Sequence, residues 1–476
     1  MKTTIVKNLS ILLTFGLAVK VLGLFNKIIL SRALEIDGLS YYTKLLPIAT
    51  LFMTIASFSL SPIITQTVSK NISKLPYSNR DLIKKSLITA TTTASIVSII
   101  HLVFNYVICH YLLRMDILIK PFLFFIPLYY LQSYGGILKG YFHGHNKMDI
   151  YAIGQLLEQI TRIILVYILI IPQIKVSIIN GVVAAIITLS VGEIIQNLYM
   201  FINLIFYTKL KGKTTLKTEY KEIIKPAFNL TTNRLLSSIT MFLEPIIYTY
   251  AFMRTGLSSK IADEFYAIIH GYSIPLILTT NFIAIAIETA ILPSITTYNN
   301  QKEYNKVNET VNKALLICFI SGAIISYIFF NFSNELMYLF YKTTKGALYL
   351  KIMAIPSFIA YFEGVFVSLL VATNNEKKLV INTIITNSLH LLILYILVST
   401  PLFNAMGLVI SFSITMCLST LILYTLSIKH TSYRINLKYF ILFSVIYILF
   451  ISSSIFLKWF KYKKVISITR QILNFF

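Results

Sequence analysis

The chain has 476 residues, of which 56% are hydrophobic and only 13% charged, with a mean hydropathy of +0.75. That balance excludes a water-soluble domain of ordinary size, and the long apolar runs bounded by basic loops define an all-α polytopic membrane protein. The formal net charge of +24 does not point to nucleic acid, because the basic residues lie mostly in short loops, where they set topology and meet anionic lipid headgroups.

The apolar periodicity predicts helices near residues 8–31, 41–69, 85–110, 119–141, 150–171 and 176–207. A second set follows near 224–253, 264–296, 312–332, 348–372, 379–399 and 403–428, with a thirteenth helix near 438–457. The first run is no cleaved signal peptide, since no small-residue cleavage site follows it and Lys20 interrupts it. With the N-terminus inside, the inner loops carry roughly twice as many Lys and Arg as the outer ones, which places the N-terminus in the cytoplasm. Arg32, Lys44, Arg114 and Lys120 belong to the outer set in that count. The tail bearing Lys458, Lys461, Lys463, Lys464 and Arg470 breaks the pattern. It is an interfacial amphipathic helix, or helix thirteen is re-entrant, or a strained fourteenth span exists.

The basic stretch 209–223 divides a first six-helix half, 1–208, from a second, 224–430, with 431–476 left as extra C-terminal helix or helices and basic tail. Pro62-Ile63-Ile64-Thr65 closes helix two and Pro293-Ser294-Ile295-Thr296 closes helix eight. The same offset lays the loop containing Lys147 onto the loop containing Lys378. Six helices per half start both halves on the same side, so the expected architecture is two parallel six-helix lobes that rock around a central cavity.

Lys20 stands at the centre of the first apolar run, about 17 Å of helix from either end, farther than a lysine comfortably snorkels. Gly16, Lys20, Gly23 and Lys27 share one stripe, so small residues and cations turn the same way, as a hydrated cavity for an anion requires. The competing reading of Lys20 is a buried ion pair with Glu193, and that of Lys27 is snorkelling to headgroups. On helix five Gln155, Glu158, Gln159 and Arg162 share a face. Glu158 and Arg162 have the i, i+4 order of an intrahelical pair, and Arg162 also has the planar fork that holds phosphate. On helix seven Asn229, Asn233, Ser237, Thr240 and Glu244 form a polar stripe facing the expected cavity, with Arg234 beside it or reaching cytoplasmic headgroups. Glu193, Glu244, Glu288 and Glu363 are intramembrane acids open to three roles: binding a coupling cation, taking up a proton, or pairing with a base such as Arg234. His270 and His390 read as packing residues.

No catalytic constellation is present in the sequence. Gly212-Lys213-Thr214 imitates the end of a P-loop, but Tyr207 stands where its first glycine belongs and no strand precedes it. Cys109, Cys318 and Cys417 are too far apart in sequence for a C-x-x-C metal site, and neither a cofactor nor a metal is expected.

Lys20-Val21-Leu22-Gly23 with Lys27, then Gly38-Leu39-Ser40-Tyr41-Tyr42, then Gly140-Tyr141-Phe142-His143-Gly144 with Met148 form an ordered succession. Gln155-x-x-Glu158-Gln159-x-x-Arg162 and Leu292-Pro293-Ser294-Ile295 extend it. Over residues 8–428 the succession resembles the multidrug/oligosaccharidyl-lipid/polysaccharide (MOP) exporter superfamily, in its polysaccharide biosynthesis and stage V sporulation protein B branch, related to the lipid II flippase MurJ. Both basic positions of the first motif are lysine here, where members usually carry arginine, and Val19 replaces a serine. The resemblance implies a V-shaped MOP fold and movement of an undecaprenyl-diphosphate-type oligosaccharide or peptidoglycan precursor across the cytoplasmic membrane by alternating access. Lys20, Lys27, Arg162 and Arg234, with Asn233 and Glu158, are the candidate substrate contacts. The implied partners are an anionic lipid-linked glycan, membrane lipids and proteins of wall or polysaccharide synthesis. A cation-coupled multidrug exporter of the same fold and a non-transporting scaffold for wall synthesis are the rival expectations.

Overall fold

The computed structural model describes residues 2–74, 79–207, 219–431 and 433–434, and the regular structure among them is helical throughout. The predicted thirteenth helix, the basic tail and most of the linker 209–223 lie outside the described residues, as does the side chain of Asn233. In chain order the main helices are α1 (Lys2–Ser57), α2 (Leu60–Lys74), α3 (Asn79–Val107), α4 (Ile126–Gly144), α5 (Met148–Leu165) and α6 (Ile178–Tyr207). They continue as α7 (Tyr220–Met253), α8 (Ser259–Ile268), α9 (Ile274–Thr280), α10 (Phe282–Asn300) and α11 (Tyr304–Asn331). The last are α12 (Ala347–Ala360), α13 (Glu363–Ala372), α14 (Lys377–Val398) and α15 (Ala405–His430). A π-helical turn, Ile269–Ser273, joins α8 to α9.

Among the described residues, 11 stretches are long and apolar enough to cross a membrane. The first, Phe15–Ser69, has 55 residues. As one straight helix it would run about 80 Å, far beyond a hydrocarbon core of about 30 Å. Glu35 divides it: its φ of 55° and ψ of −171° break the helical path inside α1. With that break, the stretches match the twelve apolar helices expected before residue 430. Two local expectations fail. The segment between the first two predicted helices is helical on both sides of Glu35, so there is no extended loop. The predicted helix 41–69 is interrupted at Phe58 and Ser59, both at φ 45°, which end α1 and start α2.

The chain forms two compact units. Unit 1 comprises Met1–Phe282, Met337–Gly346 and Thr383–Thr415, and unit 2 comprises Ile283–Leu336, Ala347–Asn382 and Met416–Phe476. In unit 1, Leu60, Ile64 and Val68 of α2 pack with Ile137 and Phe142 of α4 and Met200 of α6. Gly140 makes this approach possible, because a Cβ there would stand 2.5 Å from the Ser61 carbonyl oxygen. The Thr65 and Ser69 hydroxyls donate to the Gly140 and Gly144 carbonyls at 3.2 Å each, stitching α2 to α4. The glycine motif of α4 is therefore a helix-packing device. In unit 2 a separate core joins Val307, Val311 and Cys318 of α11 to Val365 and Leu369 of α13 and Leu423 of α15.

Lys44 requires a correction. The sequence reading counts it in an outer loop, but it lies inside α1, fully buried, in an ion pair with Asp263 of α8. The carboxylate partner makes the burial of its ammonium tolerable, and a one-residue reading of loop charge cannot see a partner more than two hundred residues away.

Candidate functional site

The cationic stripe of α1 faces a cavity of about 930 Å³ within unit 1, at the upper end of the roughly 300–1,000 Å³ usual for ligand pockets. Lys20, Gly23 and Lys27 line it from α1, and Asn26 joins them by donating to Gln159 Oε1 at 3.4 Å. Arg162 of α5 and Arg234 of α7 complete the charge. The lining thus holds four Lys and Arg side chains and no Asp or Glu. Ion pairing does not neutralise three of them: among the described residues of unit 1, no carboxylate pairs with Lys20, Lys27 or Arg234. This removes the expected alternative in which Glu193 holds Lys20.

Glu193 goes instead to Arg162, whose Nη2 lies 2.5 Å from Glu158 Oε1 and 3.7 Å from Glu193 Oε1. Arg162 is an intrahelical pair partner of Glu158 and also lines the cavity. Its Nε is buried without a hydrogen-bond partner. Gly192 of α6 makes room for it: a Cβ there would lie 2.8 Å from that Nε and 3.2 Å from the Glu158 Cγ. The two carboxylates stand behind the guanidinium, away from the lining, and fix its position through charge-assisted contacts.

The rest of the wall is rich in hydroxyls, of which the sequence reading singles out only Ser237. Thr43, Thr50, Thr54 and Ser57 of α1 line the cavity, with Ser237 and Ser238 of α7 and Thr279 of α9. Thr43, Thr50 and Thr54 each donate to a carbonyl one turn back, at Leu39, Leu46 and Thr50, all 2.8 Å. That satisfies the hydroxyl hydrogen inside an apolar helix and leaves oxygen lone pairs to the cavity. Thr54 also meets Ser238 at 2.9 Å, tying α1 to α7. The wall offers sequence-independent polar contacts suited to a hydroxylated ligand.

Glu244 does not line the cavity. It is buried behind His270, with His270 Nε2 at 2.7 Å, His390 Nε2 at 3.3 Å and the Tyr266 hydroxyl donating at 3.2 Å. Of the expected helix-seven stripe, Ser237 reaches the cavity, joined by Ser238 and Arg234. Glu288 and Glu363 belong to unit 2. There Glu363 Oε1 accepts from the Ser419 hydroxyl at 2.6 Å, and the Ser368 hydroxyl donates to the Glu288 backbone carbonyl at 2.9 Å. A Cβ on Gly364 would lie 3.0 Å from Glu288 Oε2, so the two acids sit on closely packed helices.

The sequence profile described as "Polysaccharide biosynthesis protein" matches residues 5–299, and one described as "MatE" matches residues 237–396. The chain is 26% identical over 467 residues to stage V sporulation protein B of Bacillus subtilis (strain 168), covering 95% of this chain and 90% of the relative. It is 23% identical to sporulation protein YkvU of the same organism, covering 83% of this chain and 88% of the relative. Among solved structures, the inward-facing conformation of a multidrug resistance MATE family transporter of the MOP superfamily superposes with a TM-score of 0.63. At 15% identity over 86% of this chain and 93% of that one, the likeness establishes the fold.

Proposed function

Since the chain belongs to the polysaccharide biosynthesis family of the MOP superfamily, we propose that it is a flippase for a lipid-linked anionic glycan of the undecaprenyl-diphosphate type. The cargo is an oligosaccharide or peptidoglycan precursor, and the protein works in the cytoplasmic membrane with its N-terminus in the cytoplasm. The observation that carries this reading is the cavity lining, with four Lys and Arg side chains, no carboxylate and a set of hydroxyls. In the proposal Lys20, Lys27 and Arg234 hold the diphosphate, and Arg162, positioned by Glu158 and Glu193, adds a planar fork for its oxygens. The hydroxyl wall accommodates the sugar, and the lipid tail stays in the bilayer.

Halves 1–208 and 224–430 alternate access by rocking, with proteins of wall or polysaccharide synthesis consuming the product. No bond is made or broken. An inside-negative potential favours outward movement of a dianion by about 4–5 kcal/mol per 100 mV, at about 2.3 kcal/mol per charge, so charge alone biases export. The name of the sporulation relative supports a role in sporulation. A cationic drug is a poor fit, because nothing acidic lines the cavity to receive it.

The test is flipping of radiolabelled undecaprenyl-diphosphate N-acetylglucosamine in proteoliposomes. The wild type is expected to accelerate exchange between leaflets, and Lys20→Ala to return it to the protein-free rate. Wild-type flipping by Lys20→Ala, or export of a cationic dye with no effect on the glycolipid, would overturn the proposal.

A further inference from the structure

The cluster around Glu244 is unexplained by a binding cavity alone. A carboxylate at bilayer depth is costly unless it is compensated, and here the compensation comes entirely from groups that can gain or lose a proton. His270 approaches one carboxylate oxygen at 2.7 Å and His390 the other at 3.3 Å. The Tyr266 hydroxyl shares the first oxygen, and its ring stacks on the His270 imidazole with centroids 4.2 Å apart. His390 Nδ1 meets the Thr415 hydroxyl at 3.5 Å, which closes the chain on its far side. Among the described residues no His, Cys, Asp and Glu cluster has metal-binding geometry.

We propose that Glu244, His270 and His390 form a proton-binding site, opening to the cavity through His270, whose loading is linked to occupation of the cavity by an anion. His270 is the hinge of the argument because it alone of the three lines the cavity, facing the space that Lys27 and Arg234 also border. A proton on the cluster offsets the negative charge of Glu244 behind that wall, so it strengthens anion binding. By linkage, a bound anion strengthens proton binding to the same extent.

Among the described residues, Tyr266 of α8 donates to Glu244 and the Tyr248 ring of α7 meets the Tyr266 ring, while the cations Lys27 and Arg234 border the same cavity as His270. A structural route out of the cluster exists as well. His270 and Gly271 sit in the π-helical turn, and the Ser31 hydroxyl shares its one hydrogen between the Lys27 carbonyl at 2.7 Å and the Gly271 carbonyl at 3.1 Å. The turn that carries the imidazole is thus bonded to the turn that carries a cavity lysine. This inference rests on the anion-binding reading of the cavity but not on the identity of the cargo.

Inorganic sulfate is a suitable probe, because it remains a dianion from pH 5.5 to 8.0. With the full-length protein in zwitterionic nanodiscs, isothermal titration calorimetry is expected to find sulfate bound about fivefold or more tightly at pH 5.5 than at 8.0, within the ordinary range of coupling between two sites. Repeating the titration in buffers of different ionisation enthalpy should show proton uptake on binding, a measurement that needs no variant. In Glu244→Gln and His390→Gln, neither of which touches the cavity, the ratio of the two affinities should collapse toward one. A ratio that survives both substitutions overturns the assignment, as does pH-independent binding by the wild type. Sulfate binding at neither pH would overturn the anion-cavity reading itself, and this inference with it.

Discussion

Replacing Lys44 by methionine isolates the energetic role of the most deeply buried charge in unit 1. Lys44 has 0% exposure and Asp263 5%, so the pair sees essentially no solvent. Methionine keeps most of the lysine's apolar length and leaves the Asp263 carboxylate buried without its cation. Stripping one partner from a buried pair costs about 3–5 kcal/mol, a large share of the stability of an ordinary domain. Removing both charges, as in Lys44→Met/Asp263→Leu, is expected to restore stability to within about 1–2 kcal/mol of wild type, because an apolar pair of similar volume replaces an ion pair at little net cost. Unfolding can be followed by maleimide labelling of Cys109 and Cys318, both buried in the native fold. The single variant should expose these thiols at a clearly lower temperature, and the double variant near the wild-type temperature. A Lys44→Met midpoint equal to wild type, or a double variant as unstable as the single one, would refute the reasoning that the charges hold each other in place.

Gly140→Leu forces a side chain into the Ser61 carbonyl, and the displacement of α2 from α4 is expected to cost about 1–3 kcal/mol, read by the same thiol assay. Gly192→Ala pushes against Arg162 and Glu158 midway along both side chains, which cannot yield independently. It should weaken anion binding severalfold in nanodiscs while the unfolding midpoint moves little, and unchanged affinity would mean that Arg162 is not a contact. For topology, a cysteine replacing Lys147 should react with an impermeant maleimide only from the cytoplasmic side, and one replacing Lys342 only from outside. The reverse pattern would invert the proposed orientation.

The fold was legible because membrane-spanning helices announce themselves by apolar length, and twelve of them required no tertiary knowledge. Their interruptions were less visible. Glu35, Phe58 and Ser59 break the chain at φ values that none of these residue types advertises, and two of the three lie within helix-like apolar sequence. The lysine stripe was readable because charge at bilayer depth is costly enough to imply a cavity, and helical spacing then sets the face. Thr43, Thr50 and Thr54 repeat a similar spacing, but a hydroxyl satisfied by its own helix carries no such cost and leaves no comparable signal. His270 and His390 were read as packing residues because their shared partner, Glu244, sits on a third helix. Sequence separation hides that triad, and the π-helical turn shifts the face that periodicity would assign to His270.

The central claim is that this cavity receives an anionic lipid-linked headgroup. It is tested most directly by measuring binding of undecaprenyl-diphosphate N-acetylglucosamine to the wild type and to Lys20→Ala/Lys27→Ala in zwitterionic nanodiscs. Lys306→Ala/Lys313→Ala, which removes two exposed lysines paired with neighbours on their own helix or at its start, controls for surface charge. The account predicts saturable binding by the wild type and the control, and its loss in the cavity variant. Undiminished binding by Lys20→Ala/Lys27→Ala would contradict it.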